Sequence, residues 1–289
     1  MIPPAFDYHA PTSIAEAIAL LGKHGDDAKI LSGGQSLIPM MKLRLAAPAH
    51  IVDINRIPGL ATLAETGGHL TIGALVRESD LEDSELIRGT YPLLHDASRH
   101  IADPLVRNLA TVCGNLAHGD PANDHPAAML ALGAVAVVQG ARGRREIPVT
   151  EFFTGVFSTA LRPDEVLVEI KVPVPPPRSG GAYLKLERKV GDFATAGVAA
   201  QVTLGADGAC VRVGIGLTNV GPTPIKAAKA EAALLGKRPT DAAIKDAARL
   251  AAEASEPAAD ARGPVDYKRD LVRVLTARAL TRALAAATR

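Results

Sequence analysis

Apolar positions along the chain change period several times, and each change marks an element. Ile14, Ala17, Ile18 and Leu21 recur at helical spacing as one stripe. Ser13 precedes them, Glu16 stands three residues on and Gly25 follows, so a capped helix is predicted over 14–24. A strand at 29–31, a helical start within 37–45 and a strand at 51–54 complete a small alternating α/β unit. From about residue 60 the pattern predicts a strand at 69–72 and helices at 79–88 and 91–100. A polar, glycine-containing loop at 111–124 follows, then an apolar passage, 126–138, that reads as a buried helix running into a strand. Residues 165–172 alternate as a strand. A proline-rich run, Val172-Pro-Val-Pro-Pro-Pro-Arg-Ser-Gly-Gly181, then breaks the pattern, and neither a sheet nor a helix is expected to hold it.

Beyond that break come three strands, near 183–188, 194–204 and 210–217, and three helices, near 224–235, 240–254 and 267–287. Strands followed by helices predict helices packed on one face of an antiparallel sheet, so the fold class is α+β. The break divides the chain into 1–176, itself of two subdomains at about 1–57 and 58–176, and 177–289.

Composition narrows the function. The 289 residues are 47% apolar and 22% charged, as in an ordinary globular protein of about two domains. Basic and acidic residues number 32 and 31, for a net charge of +1, which argues against an electrostatic grip on nucleic acid or an anionic membrane. Aromatics at 3%, with no tryptophan, exclude a stacking platform for single strands. The opening residues lack a basic and apolar leader and the longest apolar run is too short to span a bilayer, so a cytoplasmic location is expected. Two cysteines, Cys113 and Cys210, support neither a disulfide scaffold nor an iron–sulfur cluster held by this chain alone.

Two loops carry the candidate chemistry. Ser32-Gly-Gly-Gln-Ser36, followed by Leu37, lies between a strand and a helix; its glycines let the backbone approach a ligand, its amides can face an anion, and Ser36 offers a hydroxyl. Read alone, the pair Gly33 and Gly34 fits a plain turn as well as a phosphate loop, and it matches neither the Walker nor the Rossmann spacing. The second loop is Thr111-Val-Cys-Gly-Asn115, continuing to Asp124. Two such loops in one chain suit a dinucleotide, whose pyrophosphate is held from more than one side, and Asp124 can accept from ribose hydroxyls. His118-Gly-Asp-Pro-Ala-Asn-Asp-His125 gathers imidazoles and carboxylates, but its spacing is neither HExxH nor EF-hand, so loop polar groups rather than metal ligands are expected. Arg142, Arg144 and Arg145 read as a solvated hairpin. No Gly-x-Ser-x-Gly elbow is present.

The segment Ile30 to Arg44, Ala110-Thr-Val-Cys-Gly-Asn115 and Asp120-Pro-Ala-Asn-Asp124 together resemble the FAD-binding medium subunit of molybdenum hydroxylases, the xanthine dehydrogenase family. Phe6-Asp-Tyr-His9, the segment Lys185 to Thr195, Gly216-Leu-Thr-Asn219 and Gly263-Pro-Val-Asp-Tyr267 extend the likeness from end to end. Within that family the chain is most similar to the medium subunits of aerobic carbon monoxide dehydrogenases. The resemblance implies a two-subdomain FAD-binding unit of the vanillyl-alcohol-oxidase (PCMH) type, then a C-terminal domain of sheet plus helices. It assigns FAD to Ser32, Gly33, Gly34, Gln35, Ser36, Leu37, Thr111, Cys113, Gly114, Asn115 and Asp124, with Leu167, Lys185 and Phe193 near the flavin.

The resemblance further implies an electron-transfer subunit that takes electrons from the [2Fe-2S] clusters of an iron–sulfur small subunit. A molybdopterin large subunit oxidises the substrate, and a quinone or other acceptor receives the electrons. A dimer of heterotrimers is implied, and quinone reduction would bring the complex to the inner face of the cell membrane. A flavoprotein subunit of an aromatic or N-heterocycle hydroxylase, a stand-alone FAD oxidoreductase and a non-catalytic assembly subunit are the alternatives. Three positions depart from the family pattern: Cys113 replaces a glycine, Gln35 replaces a histidine frequent in carbon monoxide dehydrogenases, and Phe193 replaces a tyrosine beside the isoalloxazine.

Overall fold

A computed structural model describes residues 1–288. The first unit is a three-stranded parallel sheet in which His50–Asp53 lies between Asp7–His9 and Ala28–Leu31. Helix Ile14–His24 covers it, burying Ala17, Ile18 and Leu21 as the stripe requires. Ser13 Oγ accepts from the Glu16 amide at 3.2 Å, and Glu16 reaches back to the Thr12 amide at 2.9 Å, so the capping box closes one residue earlier than its simplest form.

A five-stranded antiparallel sheet follows, in the order Leu63–Thr66, His69–Gly73, Val166–Pro173, Val135–Gly140, Gly143–Pro148. Its central strand, Val166–Pro173, arrives late in the chain and closes the sheet between strands formed much earlier. Three local differences from the sequence reading have physical causes. The helix expected at 79–88 is two, Glu78–Asp83 and Glu85–Thr90, because Ser84 is extended and caps the second through the Ile87 amide at 3.3 Å. The loop expected at 111–124 contains helix Val112–His118, capped by Thr111 and stopped by the left-handed Gly119, whose polar and small residues hide its period. The proline run interrupts only 174–178: the preceding strand runs to Pro173 and the next begins at Ser179.

Gly180 and Gly181 therefore lie inside a strand. A Cβ on Gly180 would collide with backbone at Ala283 and Ala287, and one on Gly181 would lie 2.7 Å from Leu93 Cβ. These glycines mark close approach of helices to both faces of the sheet rather than a chain break.

That sheet is antiparallel, ordered Ser179–Leu186, Ala196–Leu204, Cys210–Thr218, Ile225–Lys226. Helices Ala228–Leu234, Asp241–Ala254 and Val265–Ala287 follow it in the chain. Period-two alternation divides Ala196–Leu204 between two cores. Ala196, Val198, Ala200, Val202 and Leu204 face the C-terminal helices, whereas Ala199 joins the core of the first half, as does Tyr183. On that second face lie Pro92–Arg99 and His125–Leu132. Every residue of His125–Leu132 is buried, and Gly214 and Gly216 let its carbonyls at Ala131 and Ala127 come against the strand. The sheet is thus covered by helices on both faces, one more layer than the sequence pattern predicted. Among the described residues no helix is long and apolar enough to cross a membrane.

Candidate functional site

The two glycine loops meet back to back. Ser32 Oγ lies 2.9 Å from Thr111 Oγ1 and donates to the Ala74 carbonyl at 3.2 Å. A Cβ on Gly33 would lie 2.8 Å from Ala110 Cα and 2.9 Å from the Thr111 nitrogen, so only glycine permits this contact. Gly34 takes φ +75°, the left-handed region that favours glycine. A brace the sequence reading missed fixes the pair from behind. Asn55 donates to the Ser32 carbonyl at 2.9 Å, and Arg77 donates to Asn55 Oδ1 at 2.7 Å and to the Leu109 carbonyl at 2.5 Å. No spacing signal marks Asn55 or Arg77, which come together only through the fold.

Among the described residues, the amides of Gly33, Gly34, Gln35 and Ser36 donate no hydrogen bond within the chain. Ser36 stands at the N-cap of helix Leu37–Lys42 without using its hydroxyl as a cap, and Gln35, Ser36 and Leu37 are part-exposed. This loop therefore offers several free backbone donors in sequence, on a turn that only glycine at position 33 lets pack against the second loop, a chemistry suited to an anion. On the second loop, Thr111 Oγ1 accepts from the Gly114 amide at 3.2 Å, and a Cβ on Gly114 would crowd that oxygen at 2.6 Å. Asn115 Oδ1 is buried with no partner in the chain, an acceptor waiting for a donor.

Cys113 is not in a crowding position. It points inward from helix Val112–His118, with its thiol 3.5 Å from the Ile72 carbonyl oxygen, and it is only 2% exposed. Burial pushes the thiol far above its ordinary range, with Glu169 and Glu78 adding to it, so this sulfur is packing rather than a redox centre.

From Asn115 a continuous polar path leads to the C-terminal sheet. Asn123 donates to the Asn115 carbonyl at 2.8 Å, and its own carbonyl accepts from Thr218 Oγ1. Asp124 is buried; its Oδ1 accepts from the Tyr183 hydroxyl at 2.5 Å and its Oδ2 from Lys185 Nζ at 3.1 Å. Lys185, also buried, donates further to the carbonyls of His100 at 2.7 Å and Asp192 at 3.0 Å. Burial raises the Asp124 carboxyl against the pull of Lys185 and Tyr183, and burial with the Asp124 charge raises the Tyr183 phenol well above its usual value. Phe193, 49% exposed, follows Asp192, whose carboxylate accepts from the Phe193 amide at 2.9 Å. Its loop is pressed against Ala102 at Gly191, and Ala102 itself has φ +44°.

Leu167 is the outlier. It is buried in the central strand of the five-stranded sheet opposite Val138, and no hydrogen bond ties its position to either loop. His118 and His125 do not converge: His118 stands against Phe157, while His125 is wholly buried 2.6 Å from Glu78. Burial lowers the basicity of His125, but the Glu78 charge and hydrogen bond outweigh it and leave the net shift upward. Glu78 also takes its amide to the Ala110 carbonyl, so this pair underpins the second loop.

Residues 4–175 match the family described as the FAD binding domain in molybdopterin dehydrogenase, and residues 181–283 match the CO dehydrogenase flavoprotein C-terminal domain. The chain is 49% identical over 286 residues to the carbon monoxide dehydrogenase medium chain of Hydrogenophaga pseudoflava, covering 99% of each, and 44% identical to that of Afipia carboxidovorans, again covering 99% of each. A solved structure of the Hydrogenophaga pseudoflava carbon monoxide dehydrogenase that lacks the Mo-pyranopterin moiety of the molybdenum cofactor superposes with a TM-score of 0.96 at 50% identity, over 99% of both chains.

Proposed function

The chain belongs to the FAD-binding family of the molybdopterin dehydrogenases, and from that premise we propose that it is the flavin-carrying, electron-transferring subunit of an aerobic carbon monoxide dehydrogenase. The single observation that carries the site is the convergence of two loops, one with undonated amides at Gly33 to Ser36 and the other with the unpartnered Asn115 Oδ1. These residues fit a pyrophosphate-bridged dinucleotide: Ser32 to Leu37 hold one side of the diphosphate, Thr111, Cys113 and Gly114 the other, and Asn115 Oδ1 accepts from a hydroxyl of the same dinucleotide. Asp124 accepts only one bond on each oxygen, which leaves capacity for a ribose hydroxyl. Lys185 and Phe193 shape the flavin end, Lys185 by holding Asp124 and the Asp192 loop in place, whereas Leu167 lies in the core of the five-stranded sheet. Bound FAD supplies storage for two electrons that arrive singly and leave as a pair.

No side chain of this subunit need act as acid or base on the substrate; its work is to hold and orient the cofactor. In this reading the substrate is oxidised on a molybdopterin large subunit and the electrons arrive through the [2Fe-2S] clusters of a small subunit. The complex is cytoplasmic and a dimer of heterotrimers, and a quinone acceptor brings it to the inner face of the cell membrane. Exposed Leu105 and Leu109, just before the second loop, fit coverage by such a partner. We also place the boundary between the FAD-binding unit and the C-terminal domain at 176/177, in the short segment between strands Val166–Pro173 and Ser179–Leu186.

The test is an absorption spectrum of the complex purified with its partner subunits, before and after anaerobic addition of carbon monoxide. Bleaching of a flavin band by carbon monoxide supports the whole reading. Bleaching by dithionite but not by carbon monoxide would move the substrate to an aromatic or N-heterocyclic compound. A colourless, flavin-free complex would overturn the proposal.

A further inference from the structure

Away from the glycine loops, three histidines from three separate elements converge beside the small parallel sheet. His9 ends strand Asp7–His9, His50 opens strand His50–Asp53, and His24 closes helix Ile14–His24. Asp7 stands opposite His50 in the parallel register and His9 opposite Val52, so alternation puts Asp7, His9 and His50 on one face of the sheet. The helix brings His24 to the same place. One nitrogen from each of the three rings lies within 4.8 Å of the others.

The cluster is poorly explained by hydrogen bonding alone. His9 Nε2 and His50 Nδ1 are 3.3 Å apart, long for a hydrogen bond. The rings of His24 and His50 stand with centroids 3.6 Å apart, and His24 Nε2 is buried without a partner. Two imidazole nitrogens on a tetrahedral zinc ion, each bonded at about 2.0–2.1 Å, are separated by about 3.3 Å, the spacing His9 and His50 already have. The charged and titratable groups facing His24 are His50, Lys23, His9 and Asp7. Asp7 Oδ2, 3.5 Å from His50 Nδ1, adds the one negative charge at the cluster and a possible fourth donor.

We propose that His9, His24 and His50, with Asp7 beside them, form a binding site for a divalent transition metal of the zinc class. Imidazole donors suit zinc, copper, nickel and cobalt rather than magnesium or calcium. The metal acts as a clip. It ties the first strand and the end of the first helix to the central strand of the sheet whose neighbour, Ala28–Leu31, runs into the Ser32 to Ser36 loop. This inference is independent of the flavin reading, since the hydrogen-bond and ring partners of the three histidines are one another and Asp7 rather than either glycine loop.

Zinc titrated calorimetrically into the metal-stripped full chain is the test, with cobalt absorption as the report on geometry. One equivalent is expected, with tetrahedral cobalt bands and a melting temperature raised by zinc and lowered again by a chelator. His24→Gln and His9→Gln are each expected to weaken zinc binding at least about tenfold and to abolish the thermal shift. His24→Gln, at the part-exposed end of its helix, keeps the test valid should His50→Ala fail to fold. Binding unaffected by loss of His24 and of His9, or wild-type binding no tighter than about millimolar, would overturn the proposal.

Discussion

The loop from Ser32 to Ser36 and the knot around Asp124 both belong to the site we propose for FAD, and they treat their polar groups in opposite ways. At the loop, backbone amides are left undonated, and glycines let the turn pack closely against the second loop and its own helix. At Asp124, both carboxylate oxygens are held by Tyr183 and Lys185, and Lys185 in turn gathers two carbonyls from separate loops. The first region is built to receive a ligand. The second is built to hold the C-terminal sheet against the FAD-binding half, so that the ligand's far end meets a fixed wall. Polar groups serve binding where their hydrogen-bonding capacity is free and architecture where it is taken up, and Asp124, with one bond on each oxygen, does some of both.

The strongest way to break this contrast is Lys185→Met. It leaves a buried carboxylate with only the Tyr183 hydroxyl and is expected to cost about 3–5 kcal/mol in urea unfolding of the full chain. A loss under about 1 kcal/mol would mean the knot is not structural. Gly33→Ala is next. Its Cβ has no room beside Ala110 and Thr111, so FAD affinity is expected to fall about tenfold or more, with overpacking of about 1–3 kcal/mol at the loop contact. Equilibrium dialysis of the cofactor reads the first effect and thermal unfolding the second.

Acid–base titration sharpens the comparison at the second loop. His125 has its basicity raised by Glu78, so its contribution to stability is complete below its unfolded value of about 6.5 and is lost as pH rises through the higher folded value. Unfolding followed from about pH 6 upward should show wild type losing its advantage over His125→Gln. A constant difference between the two proteins would remove the pair from the account. Asn115→Ala is expected to lower flavin content while changing stability by no more than about 0.5 kcal/mol, because the buried Oδ1 has no partner in the chain to lose. The smallest effect belongs to Phe193→Tyr. At this half-exposed position stability should stay within about 0.5 kcal/mol, and any change should appear in the flavin's reduction potential.

Much of this was legible beforehand where local period and chemistry agree. The first helix announces itself through its stripe and Ser13 cap, and the two glycine loops through composition and family likeness. Helix Val112–His118 was hidden because glycine, asparagine and histidine within it carry no apolar period; its stability comes from the Thr111 cap and from Val112, Cys113 and Leu116 packing inward. Gly180 and Gly181 looked like a break because the helices they admit are distant in sequence. The brace of Asn55 and Arg77, the Tyr183 hydroxyl on Asp124 and the histidine cluster share that property. Each is assembled from elements far apart in the chain, and a linear pattern holds no record of which elements meet.

The central claim is that the two loops jointly hold a pyrophosphate. Fluorescence titration of FAD and of FMN, which lacks the diphosphate bridge, into the flavin-free full chain tests it most directly. FAD is expected to bind at least about tenfold more tightly, and Gly33→Ala is expected to narrow that margin. Equal affinity for the two flavins would contradict the account.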